Sequence, residues 1–347
     1  MNGNILLPGK RWLFLGLIIL FVVVVRARLL DVPLERDEGE YAYMGQLLLQ
    51  GIPPYSEAYN MKFPGTYLMY AGIMSLFGQT IRGIHLGFML LNLATVLLVF
   101  QLGRKIASDL AAGIASATYA VLSLSSTVFG FAAHATHFVA LPAVGGAVLL
   151  LFAAEKNKLP LYFLSGTLFG LAFIMKQPGL FFILFGASYI IYHDWLSKPE
   201  PIAKRLPLHL CMFTAGALLP FLAVALWLYA SGVFDKFWFW TFQYAAQYGM
   251  QVPLSEAFGV FRRNFLEVAD GFQLLWLASA LGLPAVFFLA DLKKTRVFIV
   301  LFALFSFLSI CPGFYFRPHY FVTLLPASSL LIGIFFHYVT ARGLAFY

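Results

Sequence analysis

LERDEGEY, residues 34–41, is a cluster of charged side chains directly after the first long apolar run of the chain. It contains Arg36 and the carboxylates of Asp37, Glu38 and Glu40. Charged groups at or near a bilayer are costly, and they usually mark a substrate site, an ion path or a pairing partner. A solvated loop whose acids balance nearby arginines is the alternative, and position alone leaves both open.

The composition of the chain around this cluster predicts a membrane protein. Of 347 residues, 61% are hydrophobic and only 11% are charged, and the mean hydropathy is +0.84. Soluble domains carry about 25% charged residues, so we expect an all-α polytopic membrane protein. No soluble stretch is long enough to build its own core, so residues 1–347 are expected to form a single transmembrane domain.

Hydropathy predicts about ten membrane-spanning helices, each near the roughly 20 residues that a bilayer requires. Their approximate limits are 11–30, 83–102, 110–129, 136–154, 160–176, 178–193, 208–231, 271–290, 297–312 and 320–339. Two connecting loops, 31–82 and 232–270, are much longer than the rest. In the first, the apolar spacing predicts short amphipathic helices at the membrane surface, from Gly39 to Gln50 and from Thr66 to Phe77.

The distribution of charge predicts the orientation of the chain. If the N-terminus is cytoplasmic, the inside segments carry 13 cations and five acids, and the outside segments carry 10 of each. The positive-inside rule then places both termini in the cytoplasm and both long loops outside a cytoplasmic or inner membrane. The net charge of +8 is a topology signal on this view, and no nucleic-acid partner is expected.

The charged residues of the outer segments are candidates for chemistry. A carboxylate at a water–lipid boundary can take a proton from an acceptor hydroxyl as a general base. Lys62 precedes the second amphipathic helix, and Arg317 lies at the outer end of the last predicted span. Each can neutralise a phosphate leaving group, or can snorkel to lipid headgroups instead.

Other constellations are weaker. His134 and His137 have the i, i+3 spacing that can place two imidazoles on one metal ion, although most such histidines are simply hydrogen-bonded. Lys176 lies beside a Pro-Gly turn, where it either serves a site or ends a helix. The motifs of hydrolases and ATPases are absent from the sequence, so those classes are disfavoured.

The first outer loop resembles the corresponding loop of GT-C glycosyltransferases, because three motifs occur in it in the same order. They are RDEGEY at 36–41, GIPPY at 51–55 and KFP at 62–64. More narrowly, the loop is similar to the protein-mannosyltransferase/aminoarabinose-transferase clan, including its lipopolysaccharide-core glycosyltransferase branch. The resemblance implies a GT-C fold with two juxtamembrane helices in this loop. It also implies transfer of a sugar from a polyprenyl-phosphate donor to an acceptor outside the membrane.

The same resemblance assigns roles to individual residues. Asp37 takes the position of the catalytic carboxylate and Glu38 that of the acid beside it, while Lys62 is placed near the donor phosphate. In the family the lysine is followed directly by proline, whereas here Phe63 lies between Lys62 and Pro64, which is a departure from the pattern of the family. The further candidates are Arg36 and Arg317 for the phosphate, Glu40, Tyr41, Tyr55, His319 and Tyr320 for the substrate, and His134 and His137 as weak metal ligands.

We therefore expect an inverting glycosyltransferase in which Asp37 acts as the base. Its partners would be a polyprenyl-phosphate sugar, membrane lipids, and a lipid, glycan or protein acceptor; no nucleotide is expected, and a divalent metal stays open. The alternatives are a transporter or flippase for an amphipathic lipid-linked substrate, and a non-catalytic subunit of a membrane glycosylation complex. The chain stops soon after its tenth predicted span, where members of the clan usually continue, so acceptor recognition is expected to be either incomplete or supplied by a partner, and the sequence leaves this open. The sequence does not reveal the sugar, the acceptor or the oligomeric state.

Overall fold

The computed structural model describes residues 8–196 and 202–343, and over these ranges the chain is built from helices, as predicted. They are α1 Pro8–Arg28, α2 Arg36–Leu49, α3 Gly65–Phe77, α4 Ile81–Ile106, α5 Asp109–Leu122, α6 Ala135–Lys156, α7 Leu159–Met175, α8 Leu180–Leu196, α9 Ile202–Ala230, α10 Phe234–Trp238, α11 Ala245–Gly249, α12 Leu254–Ala269, α13 Gln273–Phe288, α14 Arg296–Leu308 and α15 Leu325–Ala341. The two termini that we predicted to be cytoplasmic lie outside the described residues.

The helices make this a multi-pass membrane protein, but they do not confirm ten spans. Among the described residues, four segments are long and apolar enough to cross a bilayer: Ile81–Ile106, Ala135–Lys156, Gln177–Leu196 and Arg205–Ala230. Helices α12 and α13 pass the same test as a pair bent by 117°, which gives up to five. Helices α5, α7, α14 and α15 are apolar but have 17 residues or fewer, below the roughly 20 that a straight span needs.

Helix α2 begins three residues earlier than the apolar spacing predicted, because the acidic cluster caps it. The Glu35 carboxylate accepts the backbone N–H of Asp37 at 2.7 Å. The backbone N–H of Glu35 in turn donates to the Glu38 carboxylate at 2.9 Å, which completes a reciprocal capping box. Glu35 and Glu38 thus cap the start of α2, the helix that also carries Asp37 and Glu40.

Helix α3 is placed by a close approach to the end of α7. Gly65 is its first residue, and a Cβ atom there would lie 2.4 Å from the carbonyl oxygen of Ile174. The next residue, Thr66, donates its hydroxyl to the carbonyl of Met175 at 2.8 Å. The start of α3 is therefore fixed against the end of α7, which brings the first long loop next to the turn between α7 and α8.

The second long loop packs on the first through its aromatic side chains. Between α10 and α11 the chain forms one π-helical segment, Phe239–Tyr244, a form often found at functional sites. Trp240, within it, stacks on Tyr59 of the first loop with ring centroids 4.3 Å apart. The two long loops thus meet at one end of the helix bundle, and the candidate site lies between them.

Candidate active site

A cavity of about 610 Å³ lies where α2, the α7–α8 turn, the second long loop and the segment after α14 converge. Its charged and titratable lining residues are Arg36, Asp37, Glu40, Lys62, Lys176, Tyr248, Tyr315, Arg317, His319 and Tyr320. Phe242, Ala245 and Pro312 contribute apolar surface to the same cavity. A cavity with several cations and an apolar wall is suited to an amphipathic ligand with an anionic head.

Asp37 is the most strongly ion-paired of the predicted residues. One carboxylate oxygen accepts from Arg36 at 3.0 Å, and the other accepts from Lys62 at 3.1 Å and from the hydroxyl of Tyr41 at 3.4 Å. Burial on its own would raise the pKa of Asp37. The charge of Lys62 and the hydrogen bonds from Arg36 and Lys62 outweigh burial and hold the pKa well below its ordinary value. The side chain is therefore a carboxylate at neutral pH.

Lys62 is held in place by the loop in front of α3. Its backbone N–H donates to the Asn60 side chain at 2.9 Å, and its carbonyl accepts the hydroxyl of Tyr55 at 2.7 Å. Its ammonium group lies 4.4 Å from the ring centroid of Tyr41, which adds a cation–π contact. Tyr55, predicted to contact the substrate, is buried and is not among the residues that line this cavity.

Lys176 adds a second half-buried cation to the cavity. It follows the last residue of α7 in extended backbone and lines the cavity, with its ammonium group 3.9 Å from the ring centroid of Tyr320. Burial, reinforced by the charges of Lys62 and Arg317, lowers the pKa of Lys176 to about 7. The sequence alone had left this residue undecided between a site and a helix end, and the structure places it in the site.

Arg317 completes the cationic lining from the other side. Its guanidinium donates to the hydroxyl of Tyr248 at 2.7 Å, and it lies 5.4 Å from the ring centroid of Tyr315. Tyr248 belongs to the second long loop, so this hydrogen bond links that loop to the site. Nothing in the sequence distinguished Tyr248 from the many other aromatics around it, and it was not predicted.

Glu38 is not brought into the cavity with Asp37. Its side chain is fully buried, and its carboxylate accepts the backbone N–H of Ala133 at 2.6 Å and lies 3.1 Å from a ring nitrogen of His85. With the contact to Glu35, these bonds tie α2 to α4 and to the segment before α6. The structure therefore places Glu38 in a supporting position. Glu40, by contrast, lines the cavity and accepts from Asn60, and burial raises its pKa.

The histidines gather differently from the predicted pair. His134 stacks on His319 with ring centroids 4.5 Å apart and an interplanar angle of 8°. His137 is turned away and packs on Phe88, with ring centroids 4.8 Å apart. Burial lowers the pKa of His134 to about 4 and that of His319 well below its ordinary value, so both rings are neutral.

Asp37, His134 and His319 offer donor atoms within 4.8 Å of one another, the one such trio found among the described residues. Neutral imidazoles and a carboxylate are ligands that a divalent metal accepts. Both oxygens of Asp37, however, already accept from cations, Arg36 on one and Lys62 on the other. These side chains supply the counter-charge that a metal ion would bring, which favours a site built around cationic side chains.

Comparison with known proteins supports the predicted resemblance. Residues 62–227, just under half of the chain, match the model of the family described as dolichyl-phosphate-mannose-protein mannosyltransferase. The resemblance to this clan is thereby confirmed. The match begins at Lys62, so the Asp37 segment lies before it. No curated protein is close enough in sequence to count as a match.

Solved structures share the fold of the chain. The crystal structure of ArnT from Cupriavidus metallidurans bound to undecaprenyl phosphate matches with a TM-score of 0.63 at 18% identity, over 93% of this chain and 60% of that one. AglB from Archaeoglobus fulgidus, in complex with an inhibitory peptide and a dolichol-phosphate, matches with a TM-score of 0.55 at 13% identity, over 97% and 52%. At these identities the likeness establishes a GT-C-like fold, and the chain spans about 60% of the length of ArnT.

Proposed function

We propose that this chain, whose residues 62–227 match the family described as dolichyl-phosphate-mannose-protein mannosyltransferase, transfers a sugar from a polyprenyl-phosphate donor to an acceptor hydroxyl. One observation carries the proposal: a buried carboxylate, Asp37, shares a cavity with the cations Lys62, Lys176 and Arg317. A carboxylate can take the proton of the acceptor, and cations can stabilise a phosphate as it leaves.

The cationic lining suits the donor phosphate. Lys62, Lys176 and Arg317 approach the cavity from three separate segments, so a phosphate between them would be neutralised from several sides. Because the three are held by neighbouring aromatic and carboxylate groups before the ligand arrives, little reorganisation is needed as charge develops on the phosphate. The wall that includes Phe242 and Pro312 offers apolar surface to the first isoprenoid units. No nucleotide is required by this arrangement.

Lys62 contacts Asp37 and also lines the cavity, so its position links phosphate binding to the pKa of Asp37. Its ammonium group lies 3.1 Å from Asp37 and faces the same cavity as the other cations. A donor phosphate that attracts Lys62 weakens its hold on Asp37, and the pKa of the carboxyl rises toward its ordinary value because a stabilising charge is withdrawn. Asp37 then becomes a stronger base when the donor is present.

The reaction follows as a single displacement. The acceptor oxygen forms a bond to the anomeric carbon while the bond from that carbon to the phosphate oxygen breaks. The proton of the acceptor passes to Asp37, and the electron pair of the broken bond leaves with the polyprenyl phosphate. Attack opposite the leaving group inverts the configuration at the anomeric carbon.

We place this site on the extracytoplasmic side of a cytoplasmic or inner membrane, with both termini in the cytoplasm and about ten spans. The excess of cations in the predicted inside segments supports the orientation. The acceptor is a lipid, glycan or protein that is reached from the outer side. No observation specifically favours the transporter or subunit alternatives, and the carboxylate and cations that line the cavity support the proposed transfer.

A transfer assay tests the proposal. Purified protein is incubated with a panel of polyprenyl-phosphate sugars and membrane-derived acceptors, and wild type is compared with Asp37→Asn. Loss of a general base should lower kcat by about 10²- to 10⁴-fold, while the variant still inserts in the membrane and binds the donor. Asp31→Asn is the matched control, because Asp31 is exposed and pairs only at 3.9 Å with Arg82.

Two results would contradict this assignment. Full activity in Asp37→Asn would show that another group takes the proton. Donor binding without turnover in the wild type, across the whole panel, would favour transport or dependence on a partner protein.

A further inference from the structure

A second and smaller cavity, of about 320 Å³, lies on the other side of Asp37. It is lined by Glu35, Arg36, Asp37, Phe129, His134, Arg317, Pro318 and His319. Four of these residues, namely Arg36, Asp37, Arg317 and His319, line the larger cavity as well. Asp37 therefore lies between the two cavities, which we call the larger and the smaller chamber. A group bound in either chamber can reach its carboxylate.

His134 is the unusual residue of the smaller chamber. Its side chain is 3% exposed, and neither ring nitrogen has a hydrogen-bond partner. One nitrogen lies 3.9 Å from an Asp37 oxygen and the other 3.8 Å from a Glu35 oxygen, both beyond hydrogen-bond distance. Buried polar groups are costly to leave unpaired, so this ring is expected to find its partner in a bound molecule.

The ring is held for such a role by its neighbours. His134 precedes the first residue of α6, stacks on His319, and meets Phe129 edge-on with ring centroids 6.0 Å apart. A stacked ring cannot swing toward either carboxylate without losing these contacts. The 3.9 Å gap between Nδ1 and Asp37 Oδ2 is thus a fixed feature. An oxygen atom between Nδ1 of His134 and Oδ2 of Asp37 can lie about 2.8 Å from each, which is hydrogen-bond distance to both.

We propose that the smaller chamber binds the acceptor and that His134 hydrogen-bonds the attacking hydroxyl opposite Asp37. The proposal rests on the proposed glycosyl transfer, since it assigns the second substrate of that reaction. A hydroxyl donates one hydrogen bond and accepts two. It donates to Asp37, accepts from the Nδ1–H of the neutral imidazole, and is oriented with its proton toward the base. The anomeric carbon approaches from the larger chamber on the other side.

The lining of the chamber indicates the class of acceptor. At about 320 Å³ it is at the small end of ligand sites, and it holds no long apolar wall for an acyl chain. The carboxylates of Glu35 and Asp37 face it, which disfavours a phosphate group as the attacking end. Phe129 and Pro318 supply apolar faces against which a sugar ring can pack. The acceptor is therefore a sugar hydroxyl at the end of a glycan.

The test measures acceptor binding apart from turnover. Ligand-observed NMR follows methyl glycosides of common sugars on the purified full chain, while undecaprenyl phosphate binding is measured in parallel. In His134→Phe, which keeps an aromatic ring in the stack but loses both nitrogens, we expect glycoside binding to weaken about tenfold or more. Binding of undecaprenyl phosphate should change by less than about twofold. His137→Phe is the control, because His137 is buried outside both chambers and three residues away.

Three further variants keep the test valid if His134→Phe folds poorly. His134→Asn retains a donor near the position of Nδ1 and should recover more of the acceptor kcat/KM than His134→Gln, whose amide reaches the position of Nε2. Phe129→Leu should weaken glycoside binding and leave undecaprenyl phosphate binding unchanged. A merely structural role of His134 would make both amide variants equally poor and would lower the thermal midpoint with them.

The outcomes separate this inference from the proposed function. Glycoside binding that depends on His134, in a protein that transfers no sugar, would support the chamber and count against the transfer. Transfer to peptide hydroxyls but to no glycan would overturn the acceptor class. Equal loss of undecaprenyl phosphate binding in His134→Phe would overturn the two-chamber assignment. So would zinc or manganese binding that disappears in His134→Phe, since the trio with Asp37 and His319 would then be a metal site.

Discussion

We expect Lys176 to give the proposed donor site a measurable pH dependence. Its pKa is about 7 because its ammonium group is buried and faces the charges of Lys62 and Arg317. A phosphate bound nearby favours the protonated lysine. Donor binding therefore takes up a proton, and affinity is highest at a pH below about 7, where Lys176 is already charged. As the pH rises above 7, each binding event must first protonate the lysine.

The size of the effect follows from the fraction of charged lysine. With a pKa of about 7, Lys176 is about 90% protonated at pH 6 and about 10% protonated at pH 8. If the charged form binds the phosphate, the donor Kd rises about tenfold between these values. A polyprenyl phosphodiester is suitable as the probe, because it stays monoanionic over this range and does not add a titration of its own.

Two variants isolate the lysine. Lys176→Met should bind the phosphodiester about tenfold or more weakly than wild type at pH 6, since a charge-assisted contact is lost, and its Kd should be nearly independent of pH. Lys176→Arg stays charged throughout and should also give a flat profile. Tyr320 and His134 do not interfere, because their pKa values, about 12 and about 4, lie far from this window.

The assay is equilibrium binding of a short-chain polyprenyl-phosphate sugar to protein in detergent micelles or nanodiscs, at constant ionic strength. Constant salt matters because screening changes the attraction between charges. A wild-type Kd that is unchanged from pH 6 to pH 8 would refute the coupling. A tenfold dependence that persists in Lys176→Met would show that another group, and not Lys176, titrates on binding.

Two other substitutions test how the site is supported. Gly65→Ala should lower the thermal midpoint by several degrees in a thermal melt, because the new Cβ would lie 2.4 Å from the Ile174 carbonyl, whereas Gly72→Ala in the same helix meets nothing within 4 Å. An unchanged midpoint in Gly65→Ala would mean that the α3–α7 contact adjusts freely. Glu38→Gln should destabilise the protein by about 1–3 kcal/mol in chemical denaturation, since a buried acceptor of several hydrogen bonds loses its charge. It should leave the donor Kd within about twofold, and a large change in that Kd would place Glu38 in the site after all.

Much of the fold could be predicted because apolar runs and turn residues act locally. Each predicted span has a helix at its place in the structure, and both helices of the first long loop are present. The number of spans was harder to predict, since a helix such as α7, with 17 residues, is apolar but shorter than the roughly 20 residues of a typical span. The start of α2 was missed because the acids of its first turn were interpreted only as functional groups. Two of them also form its capping box.

The site could be predicted in part, for a similar reason. Asp37, Lys62 and Arg317 were identified by their motifs, and the structure brings them to one cavity. Their neighbours Lys176 and Tyr248 are remote in sequence and reach the cavity only through packing of helix ends and loops. Sequence order therefore held little information about them.

Within the acidic cluster, the sequence could not separate the carboxylates by role. Their directions depend on where the helix begins. With Glu35 as the N-cap residue, Glu38 falls at the third helical position and turns back to cap, while Asp37 and Glu40 face the cavity. The same four acids, with α2 starting three residues later, would present a different pair to the substrate.

The charges that line the two chambers are consistent with the pKa of Lys176 near neutrality. Among the described residues that line the chambers, the acids are Glu35, Asp37 and Glu40, and the cations are Arg36, Lys62, Lys176 and Arg317. The histidines are neutral, so without a ligand one cation lacks a matching acid. Desolvation and the charges of Lys62 and Arg317 lower the pKa of Lys176 to about 7, so this lysine is the cation that can lose its proton near neutral pH. A phosphodiester brings a single negative charge, which is the charge needed to keep that proton in place. The charges that line the proposed site would therefore nearly balance with neutral Lys176 and no ligand, and again with protonated Lys176 and a bound phosphodiester, so that neither state would leave an unpaired charge near the bilayer.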